Sequence, residues 1–123
     1  MSVDFLMPEL GWFGLRLAVG IVFLAHGPLK VARAAKLAGM MGLPVWFVRA
    51  LGAGETLGAL ALILGVYVQA GALVLMAVMA GAIYMKSQVW NKSFTGEGGW
   101  EFEFTLLAAL TAILLESSGY TLF

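Results

Sequence analysis

Arg16, His26, Lys30, Glu55 and Glu101 are the side chains of this sequence best placed to do chemistry. Each is ionisable, and each lies within or at the edge of a long apolar run. A charge at the centre of a membrane helix costs about 2.5–3.5 kcal/mol on insertion scales, so a residue kept there needs a partner or a task. Arg16 stands midway along the first run and Glu55 midway along the second. Helices joined by a modest connection are expected to lie antiparallel, so these two are expected to meet at one depth and to pair, offsetting much of their desolvation. His26-Gly27-Pro28-Leu29-Lys30 closes the first run, and Trp100-Glu101-Phe102-Glu103 opens the last. With alternating helix directions those ends share one side of the membrane. The expectation is a buried charge network of Arg16, Glu55, Glu101, His26 and Lys30, read either as a site for a ligand, proton or redox molecule or as a pin that fixes helix register. Glu101 or Glu103 could equally serve as a capping charge, because a helix N-terminus favours a carboxylate.

Other chemistries find no residues here. The chain has no cysteine and one histidine, which removes disulfides, thiolate metal sites, iron–sulfur clusters and a bis-histidine haem within one chain. No nucleophile–base–orienter set and no phosphate loop is present, so no catalytic residue is assigned. Met76, Met79 and Met85 read as packing residues, and no metal site is expected. The formal net charge is zero, with no basic stretch interleaved with aromatics, so nucleic acid is not an expected partner.

The elements that must position these groups are membrane helices. The 123 residues are 62% apolar and 11% charged, with a mean hydropathy of +0.96. Soluble domains run about 45–50% apolar and about 25% charged, and a soluble chain this short could not bury so much apolar surface. Four runs, near 10–26, 47–66, 70–88 and 102–119, are each roughly as long as the ~20 residues that cross a bilayer. The expected fold is all-α: one domain over 1–123, an integral membrane four-helix bundle. Lys30, Arg33 and Lys36 recur every three residues beside Leu29, Leu37 and Met40, which predicts a short interfacial helix near 30–42. Pro28 is expected to end or bend the first helix, and Pro44 stands just before the second. A tight turn is expected around Tyr67–Gln69, and a polar, glycine-rich loop from Val89 to Trp100. Trp12, Trp46, Trp90, Trp100, Tyr67 and Tyr120 all fall at span ends, the positions of an interfacial aromatic belt.

Small residues recur at four-residue spacing: Ala50, Gly54 and Gly58, then Ala77 and Gly81, then Ala108 and Ala112. Such stripes allow close helix approach in a bilayer. The first segment carries Asp4 and Glu9 and no basic residue before Arg16, so it is not expected to be a cleaved signal peptide. Six of the seven basic residues fall in or beside the loops 27–46 and 89–100. The positive-inside rule then places both loops in the cytoplasm and both termini outside.

Several short motifs occur in a recognisable order. They are Leu15-Arg16-Leu-Ala-Val-Gly20, Phe23-Leu-Ala-His26-Gly27-Pro-Leu-Lys30, Gly54-Glu55-Thr-Leu-Gly58 leading to Leu64-Gly65-Val66, and Gly98-Gly-Trp-Glu101-Phe. In that order, from about residue 13 to 119, the chain resembles the DoxX family of small four-helix bacterial and archaeal membrane proteins. It departs from the family's usual tail at Ser117-Ser-Gly-Tyr-Thr-Leu-Phe123. The family takes its name from a subunit of an archaeal terminal quinol oxidase. The resemblance therefore implies a multi-pass subunit in a bacterial or archaeal cell membrane, tied to a quinone-linked or oxidative-stress oxidoreductase complex. It implies protein partners or self-association, no intrinsic cofactor, and a quinone as the bound molecule, with Arg16, Glu55 and Glu101 lining its pocket. A carrier for a small lipophilic or protonatable molecule, or a purely structural subunit, would use the same residues differently.

Overall fold

The computed structural model describes residues 7–117. Five helices follow one another: α1 (Met7–Ala32), α2 (Ala34–Met41), α3 (Val45–Leu64), α4 (Val68–Tyr84) and α5 (Glu101–Ser117). A π-helical turn, Met85–Val89, extends α4. No strand occurs among the described residues. This is an all-α membrane bundle. The segments Leu10–Ala32, Val45–Leu64 and Val68–Val89 are long and apolar enough to cross a bilayer. α5 has 17 described residues and packs along α4. Its expected end near 119 lies outside the described residues, as does Tyr120.

The side chains facing inward are apolar and interlock. Val19 and Phe23 of α1, Ala59 and Leu62 of α3, Ala72, Leu75 and Met79 of α4, and Leu106, Leu110 and Ile113 of α5 form one buried core. Outward faces are equally apolar, with Leu57, Leu64, Leu73 and Leu115 exposed. A soluble protein would not present such a surface, but lipid tails are its natural solvent. α2 contributes a second, smaller cluster in which Ala34 and Ala38 pack on Val48 of α3.

Two features differ from the sequence reading. Pro28 lies inside α1, which runs on to Ala32 instead of ending near His26. A proline removes one N–H, here the donor to Leu24, and membrane bundles tolerate that loss because neighbouring helices stabilise the segment. The α3–α4 turn is centred on Gly65–Tyr67, one to two residues earlier than expected, with Val68 already helical. Gly65 (φ 74°) ends α3 in the left-handed region, and Tyr67 (φ 55°) starts α4 from it.

The helices meet glycine against glycine at two places, neither drawn by the four-residue stripes alone. A methyl group added at Gly27 would lie 2.5 Å from Thr56 Oγ1 and 2.8 Å from Thr56 N, and one at Gly52 would lie 2.7 Å from the Gly27 carbonyl oxygen. α1 and α3 therefore cross at Gly27 and Gly52. α3 and α4 cross at Gly58 and Gly71, where an added methyl at Gly71 would meet the Ala61 Cβ at 2.8 Å. Gly54 makes only ordinary contact with Val74, Gly81 faces open space, and Ala50, Ala77 and Ala108 are exposed. Of the expected stripes, only Gly58 sits at a crossing.

Candidate functional site

The α1–α3 crossing sets which charges can meet. Gly52 has no side chain, and α1 packs so close that a methyl added there would lie 2.8 Å from the Val31 N and 2.7 Å from the Lys30 Cβ. Lys30, in the last turn of α1, then reaches one turn deeper along α3. There its Nζ forms an ion pair and hydrogen bond with Glu55 Oε2. The Glu55 side chain is 1% exposed and the Lys30 side chain 23%. Among the described residues, Glu55 is the buried ionisable one, at the middle of α3. Thr56 beside it returns its hydroxyl to the Gly52 carbonyl at 2.8 Å, an intrahelical bond that keeps the crossing free of an unpaired donor.

The expected Arg16–Glu55 pair does not form. Arg16 lies at the other end of the α1–α3 contact, where an added methyl at Gly65 would meet its Nη1 at 2.8 Å. Gly65 stands ten residues beyond Glu55 on α3, on the order of 15 Å along the helix axis. The Arg16 Cζ lies 5.8 Å from the Phe13 ring centroid, and the guanidinium sits at the C-terminal end of α3, where the helix dipole favours a cation. The reason for the difference is the length of α1. Six further residues carry the helix past His26, and the antiparallel register slides by nearly three turns from the one that would set Arg16 opposite Glu55.

The remaining expected members separate as well. The His26 ring is exposed, with Nδ1 at 2.8 Å from the Val22 carbonyl oxygen, and lies 6.3 Å from the Phe102 ring of α5. Glu101 is exposed in the first turn of α5, and its backbone N–H donates to the Phe94 carbonyl across the loop. Thus Lys30 and Glu55 come together, while Arg16, His26 and Glu101 stand apart from them. One site was missed by the sequence reading. Lys86, on the π-helical turn, pairs with Glu103 Oε2 at 2.7 Å and lies 3.4 Å from the Gly99 carbonyl. The second oxygen, Glu103 Oε1, is buried with no hydrogen-bond partner. Phe94, Trp100 and Phe104 stack edge to face beside this pair at 4.7–6.1 Å. Only the residue types hinted at it, a lysine ending one helix and a glutamate opening the next.

An apolar groove of ≈390 Å³ runs between α3 and α4, lined by residues including Leu57, Leu60, Leu64, Tyr67, Ala70 and Val74. Neither Lys30 nor Glu55 lines it, so the polar pair and the groove are separate features.

Among families of known proteins, the DoxX family model matches residues 11–88, a stretch holding α1, α2, α3, α4 and both halves of the Lys30–Glu55 pair. The chain belongs to the DoxX family. No curated relative and no solved structure matches it. The match ends before the Gly98–Phe102 motif, so Glu101 and Glu103 lie beyond it. For this DoxX protein, a multi-pass position in a lipid bilayer follows from the family and from the three spanning helices together.

Proposed function

We propose that this DoxX chain is an integral membrane subunit associated with a quinone-linked or oxidative-stress oxidoreductase complex, and that Lys30–Glu55 is the polar element it contributes. The observation that supports the reading is a carboxylate 1% exposed at the middle of a spanning helix, held by a lysine that keeps one side open. A lysine ammonium carries three donors, and Glu55 takes one of them. The others can donate to a carbonyl of a quinone head group, while Glu55 holds the compensating negative charge. A quinone would supply the redox chemistry. The chain has no cysteine and no paired histidines to carry electrons, so they would come from a partner protein. α5, about 25 Å long at 1.5 Å per residue, serves in this reading as a fourth span. The basic loops then face the cytoplasm, as the positive-inside rule requires.

A second reading, a purely structural fastener, is favoured by one observation. The pair sits at the place where the α1 and α3 backbones come closest. One experiment separates the two. The wild-type chain and the Lys30→Met, Glu55→Leu double variant are restored to a strain lacking the protein. Growth under oxidative or sulfur-oxidising conditions is scored beside the quinone and proteins retained in mild detergent, read by native mass spectrometry. A folded double variant that loses quinone and rescue supports the proposal. Full rescue with unchanged small-molecule and protein content would leave only the fastener.

A further inference from the structure

Between Leu10 and Gly54 the sequence contains no aspartate or glutamate, yet it carries Arg16, Lys30, Arg33, Lys36 and Arg49. Arg16 is placed beside Gly65, and Lys30 is held by Glu55. The other three are exposed, and none forms an ion pair among the described residues. The fold sets the segments that carry them side by side. Ala34, Ala38 and Val48 pack as one buried cluster between α2 and α3; Arg33 immediately precedes Ala34, and Arg49 immediately follows Val48. Lys36 stands in the first turn of α2, and Arg33 is that helix's N-cap residue. Like charges brought together without an acidic residue repel one another, and an outside anion relieves that repulsion.

The surroundings say what kind of anion. Met40 at the end of α2 is 70% exposed and Trp46 at the start of α3 is 69% exposed, with Val45 and Phe47 also open. α2 buries Ala34 and Ala38 and leaves Lys36 and Met40 exposed, as is Arg33 at its N-cap. That is the arrangement of a helix lying in the headgroup layer, cations level with phosphates and apolar side chains among the upper acyl chains. A free phosphate would satisfy the cations and leave the apolar rim uncovered. A phospholipid covers both.

We infer that Arg33, Lys36 and Arg49 form a binding site for the phosphate of an anionic phospholipid, whose acyl chains lie along the exposed rim of α2 and the start of α3. This site is independent of Lys30–Glu55 and of the quinone reading. It holds whether or not the chain serves an oxidoreductase.

The test uses the full chain purified in mild detergent and offered phosphatidylglycerol, phosphatidylcholine or inorganic phosphate. Retained lipid is read by native mass spectrometry and thermal stability by loss of helicity. Wild type is expected to retain phosphatidylglycerol over phosphatidylcholine and to gain thermal stability from it, with retention weakening as salt rises. The R33Q/K36Q/R49Q variant should lose on the order of a hundredfold of that retention, since each cation near an anionic surface is worth on the order of fivefold. Lys92→Gln, on the other loop, should retain the lipid as wild type does. The salt series on wild type keeps the test decisive should the triple variant fail to fold. Equal retention of the two lipids, salt-independent retention, or a folded triple variant that keeps its phosphatidylglycerol would each overturn the site. Stabilisation by inorganic phosphate as strong as by phosphatidylglycerol would overturn its assignment to lipid.

Discussion

Two lysine–glutamate pairs among the described residues look alike in composition and differ in surroundings. Lys30–Glu55 joins α1 to α3 at a glycine crossing, with the carboxylate almost wholly enclosed. Lys86–Glu103 joins the π-turn after α4 to the first turn of α5, beside a loop, with its carboxylate 13% exposed. Helix-end position changes the energetics. Glu103 stands where the α5 dipole favours a negative charge, and Lys86 lies near a second acceptor in the Gly99 carbonyl. Glu55 stands mid-helix, far from either terminus, and Lys30 is its polar contact. The same ion pair is therefore a local fastening at the bundle's edge and a buried dependency at its centre.

The largest effect should come from removing Lys30 alone. Lys30→Met leaves Glu55 buried without its cation and is expected to destabilise the bundle by about 3–5 kcal/mol, the range for a broken buried pair. Glu55→Leu should cost less, because the remaining lysine is partly exposed and its long stem can carry the ammonium outward. Reversible unfolding in mixed micelles measures both. Losses of equal size would show that the two ends of the pair are equally enclosed.

Next in size is the crossing. Gly27→Ala puts a methyl against the Thr56 hydroxyl and backbone, and Gly52→Ala puts one against the Gly27 carbonyl. Backbone atoms cannot step aside as a flexible side chain can, so each is expected to cost about 1–3 kcal/mol, the range for overpacking. Gly81→Ala, whose added methyl meets nothing within 4 Å, should be neutral or slightly stabilising in the same assay.

How much of this was legible before the structure can be judged residue by residue. The apolar runs and terminal tryptophans place the spans, because the bilayer imposes length and boundary chemistry directly on sequence. The spacing of Lys30, Arg33 and Lys36 points to one helix near 30–42, whereas Lys30 lies in the last turn of α1, Arg33 stands at the break and Lys36 belongs to the short α2. Glu55 stands out because no apolar span keeps a carboxylate without cause. Its partner did not stand out. Choosing Lys30 over Arg16 requires knowing that α1 passes through Pro28 and that Gly27 meets Gly52, and both are relations between helices. A four-residue stripe is a property of one helix, whereas a crossing is set by two, so Ala50, Ala77 and Gly81 matched the pattern and missed the contact. The π-turn that presents Lys86 left no pattern in its residues.

Smaller effects should follow at the edges. Lys86→Met leaves Glu103 at a dipole-favoured, partly open position, and a loss of about 1–2 kcal/mol is expected, below that of Lys30→Met. Were it to match or exceed Lys30→Met, the contrast between edge and centre would collapse. The least effect belongs to Arg16→Met, about 0.3–1 kcal/mol, the worth of a cation at a helix C-terminus.

The central claim is that Glu55 depends on Lys30 and not on Arg16. Double-mutant cycles on Lys30→Met with Glu55→Leu, and on Arg16→Met with Glu55→Leu, test it most directly by unfolding in the same micelles. The structure predicts strong coupling, 1 kcal/mol or more, in the first cycle, with the double variant recovering much of the loss caused by Lys30→Met alone. The second cycle should be additive, its two residues being on the order of 15 Å apart along α3. Additive losses for Lys30 with Glu55, together with coupling between Arg16 and Glu55, would contradict the account.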